Sequence, residues 1–68
     1  MRNDILHNTR STLFKMTAAL GFFEEEARRL ARNQEVEVNE RMALGKAART
    51  AKQAMNMVQR LQKQMETL

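Results

Sequence analysis

Residues 44–68 read LGKAARTAKQAMNMVQRLQKQMETL, and in them Leu44, Ala47, Ala51, Ala54, Val58, Leu61, Met65 and Leu68 recur at alternating steps of three and four. A spacing that averages about 3.5 residues keeps one row of side chains turned toward a partner helix along the whole length. The first half repeats the pattern through Leu6, Thr9, Leu13, Met16, Leu20, Phe23, Ala27 and Leu30. Two matched stripes, with no proline anywhere to interrupt them, predict two long helices and an all-α fold.

Between the stripes lies Asn33-Gln-Glu-Val-Glu-Val-Asn39, which alternates polar and apolar residues. A single short strand without a pairing partner has little independent stability, so this segment reads as the connection. Asn3 or Asp4 can cap the first helix, placing it over about residues 4–32, with Asn33 as a left-handed terminator. Asn39 can cap the second helix, over about residues 40–67, with Val38 just before it as a staple residue. Each helix is then roughly 40–45 Å long at 1.5 Å per residue, and the short link makes the two antiparallel neighbours.

Side-chain sizes agree with that pairing. A hairpin centred near Val36 sets Leu20 and Phe23 against Ala47, Ala51 and Ala54, and the small Thr9 near Leu61 and Met65. Large against small is how facing layers interdigitate at constant helix separation. The expected unit is one domain over residues 1–68, an antiparallel helical hairpin.

A hairpin buries one seam, and this sequence carries more apolar surface than one seam uses. Phe14, Ala18 and Phe22 form a second row at steps of four, while Met55 and Met57 stand on either side of the second-helix stripe. Two readings remain open for these five residues. They complete the core of a homodimeric four-helix bundle, or the phenylalanine row is a docking surface for another protein. The size of the chain favours self-association, because a single core in fewer than about 70–80 residues rarely supplies more than 3–5 kcal/mol. With no cysteine and only His7 as an imidazole, disulfides and structural metals have almost no raw material.

Charge is unevenly spread. Seven basic and seven acidic residues balance through Ala43, so the net +4 lies beyond it, where Lys46, Arg49, Lys52, Arg60 and Lys63 face only Glu66. These five occupy the outer face of the second helix, where they could neutralise phosphates of RNA or DNA, although no tyrosine or tryptophan is present for base stacking. The region around the connection is rich in glutamate, and Glu24 with Arg28 and Glu25 with Arg29 stand four apart in the favourable orientation for helix-surface ion pairs.

Chemistry-bearing constellations are not found. His7 and Ser11 share a helix face without a third orienting group, the two glycines are too far apart for a phosphate-cradling loop, and the Glu-x-x-His pattern of carboxylate-bundle metal sites is missing. No catalysis, cofactor, metal or small-molecule substrate is expected. The charged residues of the first fifteen positions leave no apolar stretch for a signal peptide, and no run reaches a membrane span, so a cytoplasmic protein without a membrane partner is the expectation.

In shape alone the chain resembles two kinds of small helical hairpin. One is the plasmid repressor-of-primer type, whose hairpins dimerise into a four-helix bundle and bind paired RNA loops. The other is the type made by phages to inhibit host regulators or motor ATPases. No motif of either is present, so neither assigns site residues. The resemblance implies a nucleic-acid partner in the first case and a protein partner in the second. The expectation is a non-enzymatic interaction protein that homodimerises and binds another protein, modulating or inhibiting it, with RNA or DNA binding as the alternative.

Overall fold

The computed structural model describes the backbone of residues 2–67 and the side chains of residues 4–67. Two α-helices account for nearly all of it: α1 over Arg2–Ala31 and α2 over Val38–Glu66, packed along one another. The molecule is a rod of 51 × 15 × 12 Å with a radius of gyration of 15.6 Å. A compact chain of the same length would have about 11 Å.

Helix ends differ from the sequence reading in instructive ways. α1 already contains Asn3 and Asp4, so neither is its N-cap, and Asp4 instead lies in the first turn where a negative charge complements the helix dipole. At the other end Asn33 is not left-handed, since no residue among those described has positive φ. The helix unwinds through tighter bonds, Arg32 N–H to the Arg29 carbonyl and Asn33 N–H to the Leu30 carbonyl. Asn33 then closes the turn with its side chain, its Oδ1 accepting from Glu35 N–H at 2.9 Å. α2 starts earlier than expected, at Val38, and its N-cap is Glu37 with no side-chain cap bond. Asn39 lies inside the first turn and cannot cap it.

The seam is antiparallel, as expected from the short connection. Arg10 Nη2 donates to the Met65 carbonyl at 2.9 Å near the open end, and Gly21 lies beside Met55 further along. Its buried residues are Leu13 and Ala27 of α1 with Ala48, Ala51 and Met65 of α2. Leu6, Leu20, Leu44, Met55 and Val58 are half-buried around them.

Each expected stripe is met in part: in α2 Leu61 is exposed while Ala47 and Ala54 stay half-buried, and Leu68 lies outside the described residues. Leu6, Leu13, Leu20 and Ala27, and Leu44, Ala51, Val58 and Met65, do face across the seam. Thr9, Met16, Phe23 and Leu61, however, are exposed, and the alternating positions are taken by Thr17, Glu24 and Ala31 in α1 and by Ala48, Met55 and Gln62 in α2. Both helices have rolled toward the neighbouring row. Packing explains the direction of the roll: Gly21, Ala27, Ala48 and Ala51 let the backbones approach, whereas Phe23 and Met16 are too large for the line of closest contact. Charged residues tolerate the seam edge because their aliphatic stems cover it while their heads reach outward. Arg41 is the exception, for its Nε is buried without a hydrogen-bond partner.

Gly21 and Gly45 sit inside helices where glycine costs about 1 kcal/mol relative to alanine. An added Cβ at Gly45 meets nothing within 4 Å, and one at Gly21 would rest 3.7 Å from Met55 Sδ, an ordinary contact. Gly45→Ala is therefore expected to raise stability by about 0.5–1 kcal/mol, which for a domain of this size is a rise of roughly 2–8 °C in Tm. Thermal melts followed by circular dichroism check it, and a lowered Tm would show that Gly45 serves a backbone approach absent from the single hairpin.

Candidate interaction surfaces

Phe14, Ala18 and Phe22 recur every four residues, and a step of four turns slightly more than once around a helix. The row accordingly winds from the side of α1 onto its back, away from α2. Phe14 is 69% and Phe22 68% exposed, and Ala18 between them is exposed too. Arg10 precedes Phe14 by one turn, and Glu25 and Glu26 follow Phe22. The row thus ends in charges of opposite sign.

Met55 and Met57 do not join it. Met55 is half-buried against Gly21 and forms part of the hairpin seam, while Met57 is exposed and lies on the side of α2 marked by Thr50, seven residues earlier.

That side carries a surface which the sequence reading did not single out. Leu20 and Phe23 of α1 and Ala47, Thr50, Ala51 and Ala54 of α2 line a shallow groove of ≈ 430 Å³. The expected opposition of Leu20 and Phe23 to the three alanines is present here, but as an open groove rather than a closed layer. Ala43, Leu44 and Ala47, with Glu40 at the end, continue it toward the turn. All of the residues lining the ≈ 430 Å³ groove but Thr50 belong to the stripes expected to close the hairpin, while the row beside them, through Thr17 and Ala48, forms the seam.

Lys46, Arg49, Lys52, Arg60 and Lys63 of α2 are all exposed. Arg49 borders a depression with Arg28, Arg32 and Gly45, so Arg28 of α1 and Arg32 just past its end add two cations to this face near the turn. Arg60 and Lys63 border another with Asn56, Gln59 and Glu66. Arg28 is partly neutralised by Glu24, whose Oε2 accepts from its Nε at 2.9 Å. Arg29 pairs with Glu26 at 2.8 Å, three residues before it, and not with Glu25 as the spacing had suggested. That contact holds the Glu26 carboxyl below its ordinary pKa and raises the Arg29 guanidinium, in both cases chiefly through the side-chain hydrogen bond.

His7 is exposed, Ser11 is half-buried, and no hydrogen bond joins them. Among the described residues no three His, Asp or Glu side chains are grouped to hold a metal ion, and no helix is long and apolar enough to cross a membrane. No family model, curated protein or solved structure matches this chain. The surfaces therefore rest on their own chemistry: an outward phenylalanine row, an apolar groove on one face, and cations on the outer side of α2.

Proposed function

We propose that this chain is a small non-enzymatic interaction protein of the cytoplasm, a hairpin that homodimerises into a four-helix bundle and binds another protein to modulate or inhibit it. The observation that carries this reading is the outward display of Phe14 and Phe22 on a rigid helix, more than two-thirds exposed and turned away from their own partner helix. Aromatic side chains presented this way serve as anchors for a pocket on a partner, since they bury large area for little lost side-chain freedom. Arg10 and Lys15 near one end, with Glu25 and Glu26 at the other, supply rim charges that orient the encounter. Blocking a surface needs only contact area, which a single hairpin face can offer.

A second reading has its own observation. Arg28 and Arg32 meet Arg49 around one depression, adding to the basic face formed by Lys46, Lys52, Arg60 and Lys63, an arrangement suited to the phosphates of RNA or DNA. The two readings part under mutation. Phe14→Ala with Phe22→Ala is expected to abolish capture of a protein partner while Arg49→Glu with Lys52→Glu preserves it. Both variants must retain the wild-type helical circular dichroism. If charge reversal abolishes binding and the phenylalanine variant binds normally, the protein-binding reading is lost. A steep salt dependence of duplex binding would then mark nucleic acid as the partner.

A further inference from the structure

We infer that the Leu20/Phe23/Ala47/Ala54 face is where a second copy of this chain docks, with the two hairpins stacked so that their turns lie at opposite ends. This rests on the homodimer of the proposed function and specifies its face, its arrangement and which phenylalanines stay free.

Area argues first for a missing layer. The hairpin exposes 5736 Å², whereas a folded monomer of 7.9 kDa is expected to expose about 4,400 Å². The excess of about 1,300 Å² is more than the roughly 800 Å² each partner hides in an interface of standard size. No large side chain among the described residues is fully buried, and the seam alone leaves Met16, Phe23, Met57 and Leu61 exposed.

Polarity then selects the face. In α1 the row stepping by three and four from Thr9 through Met16 to Phe23 contains no charged residue, nor does the row in α2 from Ala43 through Thr50 to Leu61. Groove lining by Phe23 with Ala47, Thr50 and Ala54 puts these two rows on one side of the hairpin. Its threonines carry little polarity outward. Thr9 Oγ1 donates to the Ile5 carbonyl at 2.8 Å and Thr50 Oγ1 to the Lys46 carbonyl at 3.1 Å, so their hydroxyl donors are already satisfied before anything covers them. The Phe14/Phe22 row, by contrast, is bounded by Arg10, Glu25 and Glu26.

Size and charge fix the arrangement. The midpoint of α2 is residue 52, and a two-fold axis crossing the helices there sets Ala43 opposite Leu61 of the second copy and Ala47 opposite Met57. In α2 small therefore meets large on either side of the axis. Residues 24–41, around the turn, hold six glutamates and four arginines, net −2, whereas the open end, residues 2–15 and 60–66, holds five basic and two acidic residues, net +3. Turns at opposite ends place the negative end of each copy on the positive end of the other. Turns at the same end would stack like on like.

The test begins with light scattering over a dilution series on wild type, Ala54→Glu and Phe22→Glu. Wild type is expected at twice 7.9 kDa, Phe22→Glu unchanged, and Ala54→Glu with self-association weakened on the order of 100-fold or more, because two unpaired carboxylates enter the interface. A second measurement does not depend on how well Ala54→Glu folds. The chain has no cysteine, so Ala43→Cys and Leu61→Cys chains can be mixed and treated with a short bismaleimide. A cross-linked pair in the mixture, and none in either variant alone, is the expected result. A wild type that stays at 7.9 kDa throughout overturns the homodimer and this face together. A wild-type dimer that gives no cross-link, or that Phe22→Glu rather than Ala54→Glu dissociates, leaves the homodimer standing and overturns the face.

Discussion

Leu13→Ala is expected to leave the protein largely unfolded. Leu13 is the one large side chain of α1 in the buried class, 6% exposed at the centre of the seam, and truncation of a buried leucine typically costs about 2–5 kcal/mol. A single small core supplies about 3–5 kcal/mol in total, so the loss consumes most of it. The neighbouring change Phe14→Ala removes a larger side chain from an exposed site and is expected to alter stability by no more than about 0.5 kcal/mol. Urea titrations followed by circular dichroism on both variants check the contrast. Equal, small shifts would mean that the seam does not pass through Leu13.

How much of this could be read from sequence is clearest in the stripes. Helix number follows from heptad spacing and the absence of proline, which act through local periodicity, and antiparallel pairing from the short link. The roll of each helix does not. Two heptad rows lie side by side in both helices, one through Met16 and Phe23 or Ala47 and Ala54, the other through Thr17 and Glu24 or Ala48 and Met55. Counting apolar residues favours the first row, which in α1 has the larger side chains. The folded hairpin uses the second, since in α1 closest approach rewards small residues and tolerates a glutamate whose stem lies at the edge, and α2 turns Ala48 and Met55 to meet it. A choice between adjacent rows depends on both helices at once, and no single-helix pattern contains it.

The same displacement explains what was legible at the surface. Phe14 and Phe22 stood out because their spacing set them apart from either row, and they are indeed exposed. The groove face is not legible in this way, because periodicity places its residues in the interior of the hairpin. Met55 passed the other way, from a flank into the seam. Asn39 failed as a cap for a simpler reason: the helix starts two residues earlier, at Val38, and Glu37 in extended conformation accepts Arg41 N–H at 2.9 Å through its carbonyl. Backbone bonding outweighed the side-chain cap.

Ala48 offers the most direct test of which row forms the seam. It is 0% exposed, the most enclosed residue described, and belongs to the row that apolar counting passed over. Leucine there has no vacant space to enter, and forcing a larger side chain into a filled core costs typically about 1–3 kcal/mol through off-rotamer packing and helix displacement. For a domain this small that is a fall in Tm of at least about 4 °C and a large fraction of total stability. Had the seam run through Ala47 and Ala54, Ala48 would stand at its edge, where leucine adds apolar contact and a better helix former than most. Ala48→Leu would then be neutral or stabilising. The exposed Ala18→Leu is the control, expected to shift stability by less than about 0.5 kcal/mol. A melting temperature for Ala48→Leu at or above the wild-type value would return the helices to the first-read phase, closing Phe23 into the hairpin core and removing the groove that a second copy is inferred to fill.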